Sequence, residues 1–394
     1  MTCHAASAQM AQSRRAFGVA VGLLAFATFV IVTSEFIVVG LLPAIASDTG
    51  VSLAEASRIV SAFALAAAIG GPPLTMLAAR SEPKRTMIVT AAIIAAGNVT
   101  VALAPRYEAL MLARIAQGCA LTVFVSVSAM AAARLAGATY EGRAISLVNT
   151  GVAATIVLGV PAGAMVADKA SWPTSFAGLA VLGLVSIASI ATWFPRTGAV
   201  QPATGGSVAA LWRPGFLAHL LLSGVLFTGM FAGYTFIAGL LGAAGLSGTT
   251  VSWMLAGFGL AGIVGNWIAG HGADHDALAA TAVVALTLAV AMAAIGLVTH
   301  APILLMIVIA LWGAAHMAAF VVSQVHVMQA GRAAPAFAMS LNIAVCNLGI
   351  ALGALVGGWI ADGYGVENAG YGGGIVGTIA GLIGIAMIAA RTRR

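Results

Sequence analysis

Glu35 and Arg114 are the residues of this chain whose types and positions point most directly to chemistry. The acid sits in an apolar run from Phe17 to Leu42, and the base in a run over residues 108–133. Histidines aside, they are the chargeable side chains that fall well inside such runs. A carboxylate at membrane depth costs roughly 2.5–3.5 kcal/mol on insertion scales, which makes it a functional candidate. If both runs are helices, Glu35 lies ~10 Å and Arg114 ~9 Å below the same surface, at ~1.5 Å of rise per residue. At matching depth the two can pair, each offsetting the cost of burying the other. Burial favours the neutral acid and a facing guanidinium favours the anion, so their net effect is open. Three readings follow: a snorkelling acid, a static ion pair, or a site that binds and releases a proton.

The elements that must position this pair are helices in a bilayer. Of 394 residues, 61% are hydrophobic and only 7% charged, too few charges to cover a soluble protein of this size. Spans are expected at 17–42, 57–79, 86–104, 108–133, 144–166 and 174–195, then at 215–240, 251–270, 278–299, 302–329, 336–361 and 370–390. The predicted fold class is therefore an all-α membrane protein of twelve transmembrane helices. The polar, Pro- and Gly-containing stretch 196–214 divides them into a first half, 1–195, and a second, 215–394. Basic residues set the orientation. With the N-terminus inside, Arg14, Arg15, Arg80, Lys84, Arg85, Arg134, Arg143, Arg196, Arg213, Arg332, Arg391, Arg393 and Arg394 are cytoplasmic, and only Arg58, Arg106 and Lys169 face outward. Both termini are then cytoplasmic.

The formal net charge of +6 does not indicate nucleic-acid binding, because the basic residues are scattered between apolar runs. Cys3, Cys119 and Cys346 are too far apart to indicate a disulfide framework or a zinc site. Ser13-Arg14-Arg15-Ala16-Phe17 has the letters of a twin-arginine export signal, but the apolar run behind it is too long and carries Glu35. No phosphate-binding Gly-x-x-x-x-Gly-Lys-Ser/Thr loop is present, which excludes an ATP-driven pump within the chain, and no nucleophile–base arrangement appears, so an enzyme is not expected.

The halves read as a repeat. At an offset of 194 residues Gly71 falls on Gly265, Gly159 on Gly353, Gly163 on Gly357 and Asp168 on Asp362. Duplicated bundles of this kind are common in secondary transporters. Glu35 falls on Gly229 and Arg114 on Val308, so the charged pair has no counterpart in the second half. In the fifth span Gly151, Gly159 and Gly163 offer small residues for close helix approach, and Pro161 bends the helix.

Gly159-Val-Pro161-Ala-Gly163 resembles the fifth-helix antiporter motif of the major facilitator superfamily, in its twelve-span drug/proton antiporter branch. Thr33-Ser-Glu35-Phe36 through Gly40-Leu-Leu-Pro43, Arg114-Ile-Ala-Gln117-Gly118, and Asn342 through Asn347 and Gly349 to Gly358 resemble other signatures of that branch, nearest to sugar-efflux, arabinose-efflux and chloramphenicol-resistance permeases. The likeness implies two pseudo-symmetric six-helix bundles around a central cavity, alternating access by rocking, and proton coupling through Glu35 and Arg114. One signature departs from the pattern. The loop after the second span reads Ala79-Arg80-Ser-Glu-Pro-Lys84-Arg85, with alanine where the family carries aspartate; its second-half equivalent keeps Asp274 but lacks the basic residues. The usual cytoplasmic latch is therefore in question in the first half.

Phe227, Phe231 and Tyr234 recur at helical spacing and share a face. With Trp253, His316, Gln324 and Asn342 they are the candidates for binding a moderately apolar solute, if that face lines the cavity rather than packing as core. Gly257-Phe-Gly259-Leu-Ala-Gly262 matches a dinucleotide fingerprint in letters but sits inside a span, where helix packing is the better reading. His271 and His275 with Asp274 and Asp276 have metal-like spacing on a short loop, yet no metal site is expected there. Asn98-Val-Thr100 is a glycosylation sequon buried in a span.

The expected protein is thus a monomeric, multi-pass transporter of a bacterial inner membrane, exporting a small organic solute (a drug, sugar or nucleoside-like compound) against proton entry, with no cofactor. The rivals are a proton-coupled importer on the same scaffold and a non-transporting membrane sensor, the latter disfavoured by the lack of a sizeable soluble domain.

Overall fold

The computed structural model describes residues 2–78, 80–104, 106–137, 141–196 and 213–392, with the side chains of 2–16, 141–143, 335 and 336 left aside. Ala79, most of the 196–214 linker, Arg393 and Arg394 lie outside the described residues, and so do the side chains of Cys3, Arg14, Arg15 and Arg143. The described chain is helical throughout, with no strand. Its helices are α1 (Thr2–Thr49), α2 (Leu53–Ala78), α3 (Pro83–Leu103), α4 (Tyr107–Ala136), α5 (Glu141–Ala154), α6 (Val160–Lys169), α7 (Trp172–Trp193), α8 (Pro214–Tyr234), α9 (Ile237–Ala243), α10 (Thr249–Val298), α11 (Pro302–Ala330), α12 (Pro335–Tyr364) and α13 (Ala369–Thr392). Below, the near end of the bundle is the one from which the apolar part of α1 departs, and the far end is the one it reaches.

Eleven helical segments among the described residues are long and apolar enough to cross a membrane. One of them, α10, has 50 residues. At ~1.5 Å per residue it would be more than twice as long as a bilayer core is thick. It breaks at Asp276, whose φ of −152° and ψ of 97° are not helical. The Asp276 carboxylate accepts hydrogen bonds from the amides of Leu278 and Ala279, both at 3.1 Å, and so caps the second part. Counted at this break, the crossings number twelve, as the hydrophobic runs predict.

Two spans are interrupted, the fifth beside Pro161, where the sequence marks a bend, and the seventh where it marks none. The fifth is α5, a π-helical turn over Thr155–Gly159, and α6. Pro161 lacks the amide that would bond one turn back, and the wider turn before it absorbs the misfit. The seventh stops at Tyr234 and restarts at Ile237, with Phe236 at φ −105°, ψ 11°.

Glycines fix the helix spacing. Cβ atoms added at Gly151, Gly159 and Gly163 would strike the Ala25 carbonyl, the Thr33 side chain and the Ile37 side chain, so one stripe of the fifth span lies directly on α1. In the second half, Cβ atoms at Gly349, Gly353 and Gly357 would strike the carbonyls of Gly224, Thr228 and Ala232 on α8. Gly71 likewise faces Thr122 of α4, and Gly265 faces Ala314 of α11. Three of the matched glycine pairs from the 194-residue repeat thus make corresponding contacts. A Gly353→Ala change puts a methyl 2.5 Å from the Thr228 oxygen and is expected to cost about 1–3 kcal/mol, read as a lower thermal midpoint. Gly178→Ala, with open space around it, should leave that midpoint in place.

The halves are joined at the far end. Ser57 and Ser61 of α2 donate to the carbonyls of Ala354 and Ala351 on α12, each at 3.0 Å. Asp362 accepts from the Ser52 hydroxyl at 2.9 Å and the Ala54 amide at 3.4 Å, at the start of α2. Its repeat mate Asp168 accepts from the Thr249 hydroxyl at 3.1 Å, at the start of α10. Two symmetry-related carboxylates therefore each hold the start of a helix from the opposite half. With each bond contributing about 0.5–1.5 kcal/mol, the double change Asp168→Ala, Asp362→Ala is expected to favour far-end opening by about tenfold or more. A longer distance between spin labels on Arg106 and His300 would record it.

Candidate functional site

Glu35 on α1 and Arg114 on α4 line one small cavity, about a water molecule in size, together with Phe36, Phe63, Phe231 and Ile350. Residues of both halves form its walls. The pair does meet at one depth, but not as the expected carboxylate–guanidinium bridge. Arg114, 1% exposed, gives its N–H groups to the backbone of α1: Nη1 donates to the Ser34 carbonyl at 2.6 Å and Nη2 to the Glu35 carbonyl at 2.8 Å. Nη1 also donates to Gln117 Oε1 at 3.1 Å, and the guanidinium carbon stands 4.2 Å over the Phe63 ring. Helix carbonyls can accept this second bond because each oxygen has two lone pairs. Among the described residues, no donor lies within hydrogen-bond distance of the Glu35 carboxylate, which turns into the cavity and is only half-buried.

Behind Arg114 a polar chain crosses the first half. Gln117 Nε2 donates to Asn98 Oδ1 at 2.9 Å and to the Ile94 carbonyl at 3.0 Å, and the Ser34 hydroxyl donates to Asn98 Oδ1 at 2.7 Å. Asn98, met in the sequence only as a buried sequon, thus ties α3 to α1 and α4. Gly97 beside it leaves the space the Gln117 side chain fills. A polar side chain next to a glycine inside an apolar run was the signal available for it.

Across the cavity the aromatic candidates gather into one cluster. Phe231 stacks on Phe36 of the first half at 6.1 Å and on Phe227 at 6.4 Å between ring centroids. Tyr234 lies 4.2 Å from His316, and Phe258 and Phe320 complete the surround at 5.2 and 5.9 Å from the same ring. His316 is fully buried, and neither of its ring nitrogens has a hydrogen-bond partner. The break between α8 and α9 falls directly after Tyr234, at the edge of this cluster. Trp253 stands apart: it is 66% exposed on the surface of α10. Gln324 is exposed, one turn beyond Phe320. Asn342 faces a different polar group, donating to the Ser323 hydroxyl at 3.1 Å.

A bundle of twelve crossings with broken helices, and a small cavity between them lined by an acid and a base, has the form of a secondary transporter. The profile of the Major Facilitator Superfamily matches residues 24–335. The chain belongs to the major facilitator superfamily. It is similar to the inner membrane transport protein YdhP of Escherichia coli K12, 33% identical over 85% of this chain and 87% of that protein. It is also similar to a chloramphenicol resistance protein of Streptomyces lividans, 31% identical over the same shares of the two chains. These relatives agree with the likeness to the drug/proton antiporter branch. Among solved structures, a D-xylose–proton symporter superposes with a TM-score of 0.73 at 17% identity, covering 93% of this chain and 95% of that one. A peptide transporter superposes with a TM-score of 0.77 at 14% identity, covering 95% and 94%. At such identities these last two speak for the fold alone. The protein is a multi-pass membrane transporter, not an enzyme.

Within this major facilitator protein the remaining candidates lie at the near end. Lys84 donates to the Phe194 carbonyl at 2.7 Å, closing the end of α7 within its own half, while Arg80, Arg85 and Asp274 are exposed. Asp276, the neighbour of Asp274, is ion-paired with Arg391 of α13. His271 and His275 each turn back along their own helix, to the carbonyls of Trp267 and His271, both at 2.9 Å.

Proposed function

We propose that this protein exports a small organic solute in exchange for protons, with Glu35 as the carboxylate that carries the proton. The observation that supports this most is the division of labour at the cavity. Arg114 is held by the α1 backbone and Gln117, so its charge stays beside Glu35 without locking the carboxylate. Glu35 keeps its oxygens free towards the space between the halves. Protonation there removes a charge from the interface on which the halves rock, and so biases one access state over the other.

The solute is held on the second-half side by Phe227, Phe231, Tyr234 and His316. Their apolar rings and the unpartnered imidazole suit a moderately apolar, neutral or zwitterionic compound anchored by few polar contacts. Domains 1–195 and 215–394 move as the rocking units about the 196–214 linker, with both termini cytoplasmic in a bacterial inner membrane. The far-end closure described above then corresponds to an inward-facing state. The fifth-span motif on α1 and the chloramphenicol resistance protein among the relatives favour export. The test is a resistance and efflux screen in an expressing strain, with chloramphenicol as the first probe. Extrusion that collapses with a protonophore supports the reading, and energised uptake of the same solute overturns export.

A further inference from the structure

The second half carries a polar cluster that the Glu35 site does not use. His219, half-buried near the start of α8, and His326, buried near the end of α11, face each other with their Nδ1 atoms 3.0 Å apart and ring centroids at 5.2 Å. The two lie 107 residues apart in the chain, and neither is in the repeat or in any signature quoted above. His326 Nε2 lies 3.4 Å from the Ser223 hydroxyl, which is 3.4 Å from the Ser323 hydroxyl. Ser323 in turn receives the Asn342 amide at 3.1 Å and stands 3.5 Å from the Cys346 sulfur. Every link except His219 is buried.

We propose that His219 and His326 form a second proton-binding site, in which two imidazoles share one added proton and the Ser223–Ser323–Asn342 chain stabilises its charge through hydrogen bonds. A 3.0 Å separation between two imidazole nitrogens needs one N–H and one lone pair, so in the neutral pair one ring donates and the other accepts. A proton arriving at Nε2 of His219, the more exposed ring, turns that neutral bond into a charge-assisted one, which is stronger. Transfer along it leaves His219 neutral and His326 doubly protonated, with its Nε2–H directed at Ser223. A second proton would set two N–H groups against each other, so the site holds one. The groups that face the pair are few. Arg391 of α13, whose field reaches His219, is itself paired with Asp276 of α10. Cys346 comes from α12, and Arg213 and Arg332 bound α8 and α11 at the same end. Among the described residues, none of these groups is a carboxylate free to take the proton instead.

The existence of this site does not depend on the export reading; only its use in transport rests on it. The test is a proton titration of the purified full-length protein, without solute, using a pH-indicator dye. The double variant His219→Gln, His326→Gln is expected to take up about one proton fewer than wild type as the pH falls from about 7 to about 4, below the range of a free imidazole because burial and the Arg391 charge oppose the added proton. Glu35→Gln is expected to keep that step. Equal uptake by the folded double variant would overturn the proposal and leave the pair a neutral structural bond. Should the double variant fail to fold, His219→Gln alone gives the readout, because that ring is half-exposed: a displaced or missing step supports the shared proton, and an unchanged curve overturns it.

Discussion

Glu35→Gln is expected to leave the protein folded and able to exchange solute for solute, yet unable to use a proton gradient. Glutamine keeps the size of the side chain and loses only its titration. No donor among the described residues depends on the carboxylate, so the carboxamide breaks no bond that holds the bundle together. A proton moving through 100 mV releases ~2.3 kcal/mol, enough for about a fifty-fold solute ratio across the membrane when one proton is coupled. Wild-type protein in liposomes should approach that ratio, and Glu35→Gln should settle near equal concentrations on both sides. A gradient-driven ratio equal to wild type in the variant would remove Glu35 from the mechanism.

Arg114 is expected to behave in the opposite way, with a large effect on stability. Three acceptors, the carbonyls of Ser34 and Glu35 and the side chain of Gln117, depend on its N–H groups. Without it the two helix carbonyls keep their helical donors but lose a charge-assisted second bond, and the buried Gln117 oxygen loses its donor, so Arg114→Gln should lower stability by about 1–3 kcal/mol. Arg114→Lys should recover only part of it, since an ammonium cannot span the three acceptors as a planar fork does. A double-mutant cycle with Glu35→Gln separates this geometry from a direct ion pair. Backbone anchoring predicts a large loss for Arg114→Gln, a small one for Glu35→Gln, and near-additivity between them. Similar losses for both, with strong coupling, would mean that the carboxylate is the true partner.

The contrast between these two residues marks how far the sequence could be read. Depth along a helix follows from rise per residue, so the meeting of Glu35 and Arg114 was legible. The bond actually made was not, because backbone carbonyls are the same at every position and leave no trace in residue type. Gly159 and Gly163 announced close packing, while their partner on α1 depended on tertiary arrangement. Charges at 274–276 marked the reversal inside α10, whereas the break after Tyr234 has no proline or charge to signal it. Helical spacing put Phe227, Phe231 and Tyr234 on one face, and they do cluster. Trp253 shows the limit of that reasoning: an aromatic residue in an apolar run suits lipid as well as core, and this one is exposed. His219 and His326 show the same limit at long range, since no local pattern joins residues of two distant helices.

Proton carriage by Glu35 is the step on which the proposed exchange depends. It is tested most directly by imposing a solute gradient, with no pH gradient, on liposomes that enclose a pH dye. Wild-type protein should move protons opposite to the solute selected by the efflux screen, and Glu35→Gln should move the solute with no proton signal. Protons travelling with the solute, or a wild-type proton signal in Glu35→Gln, would contradict the account.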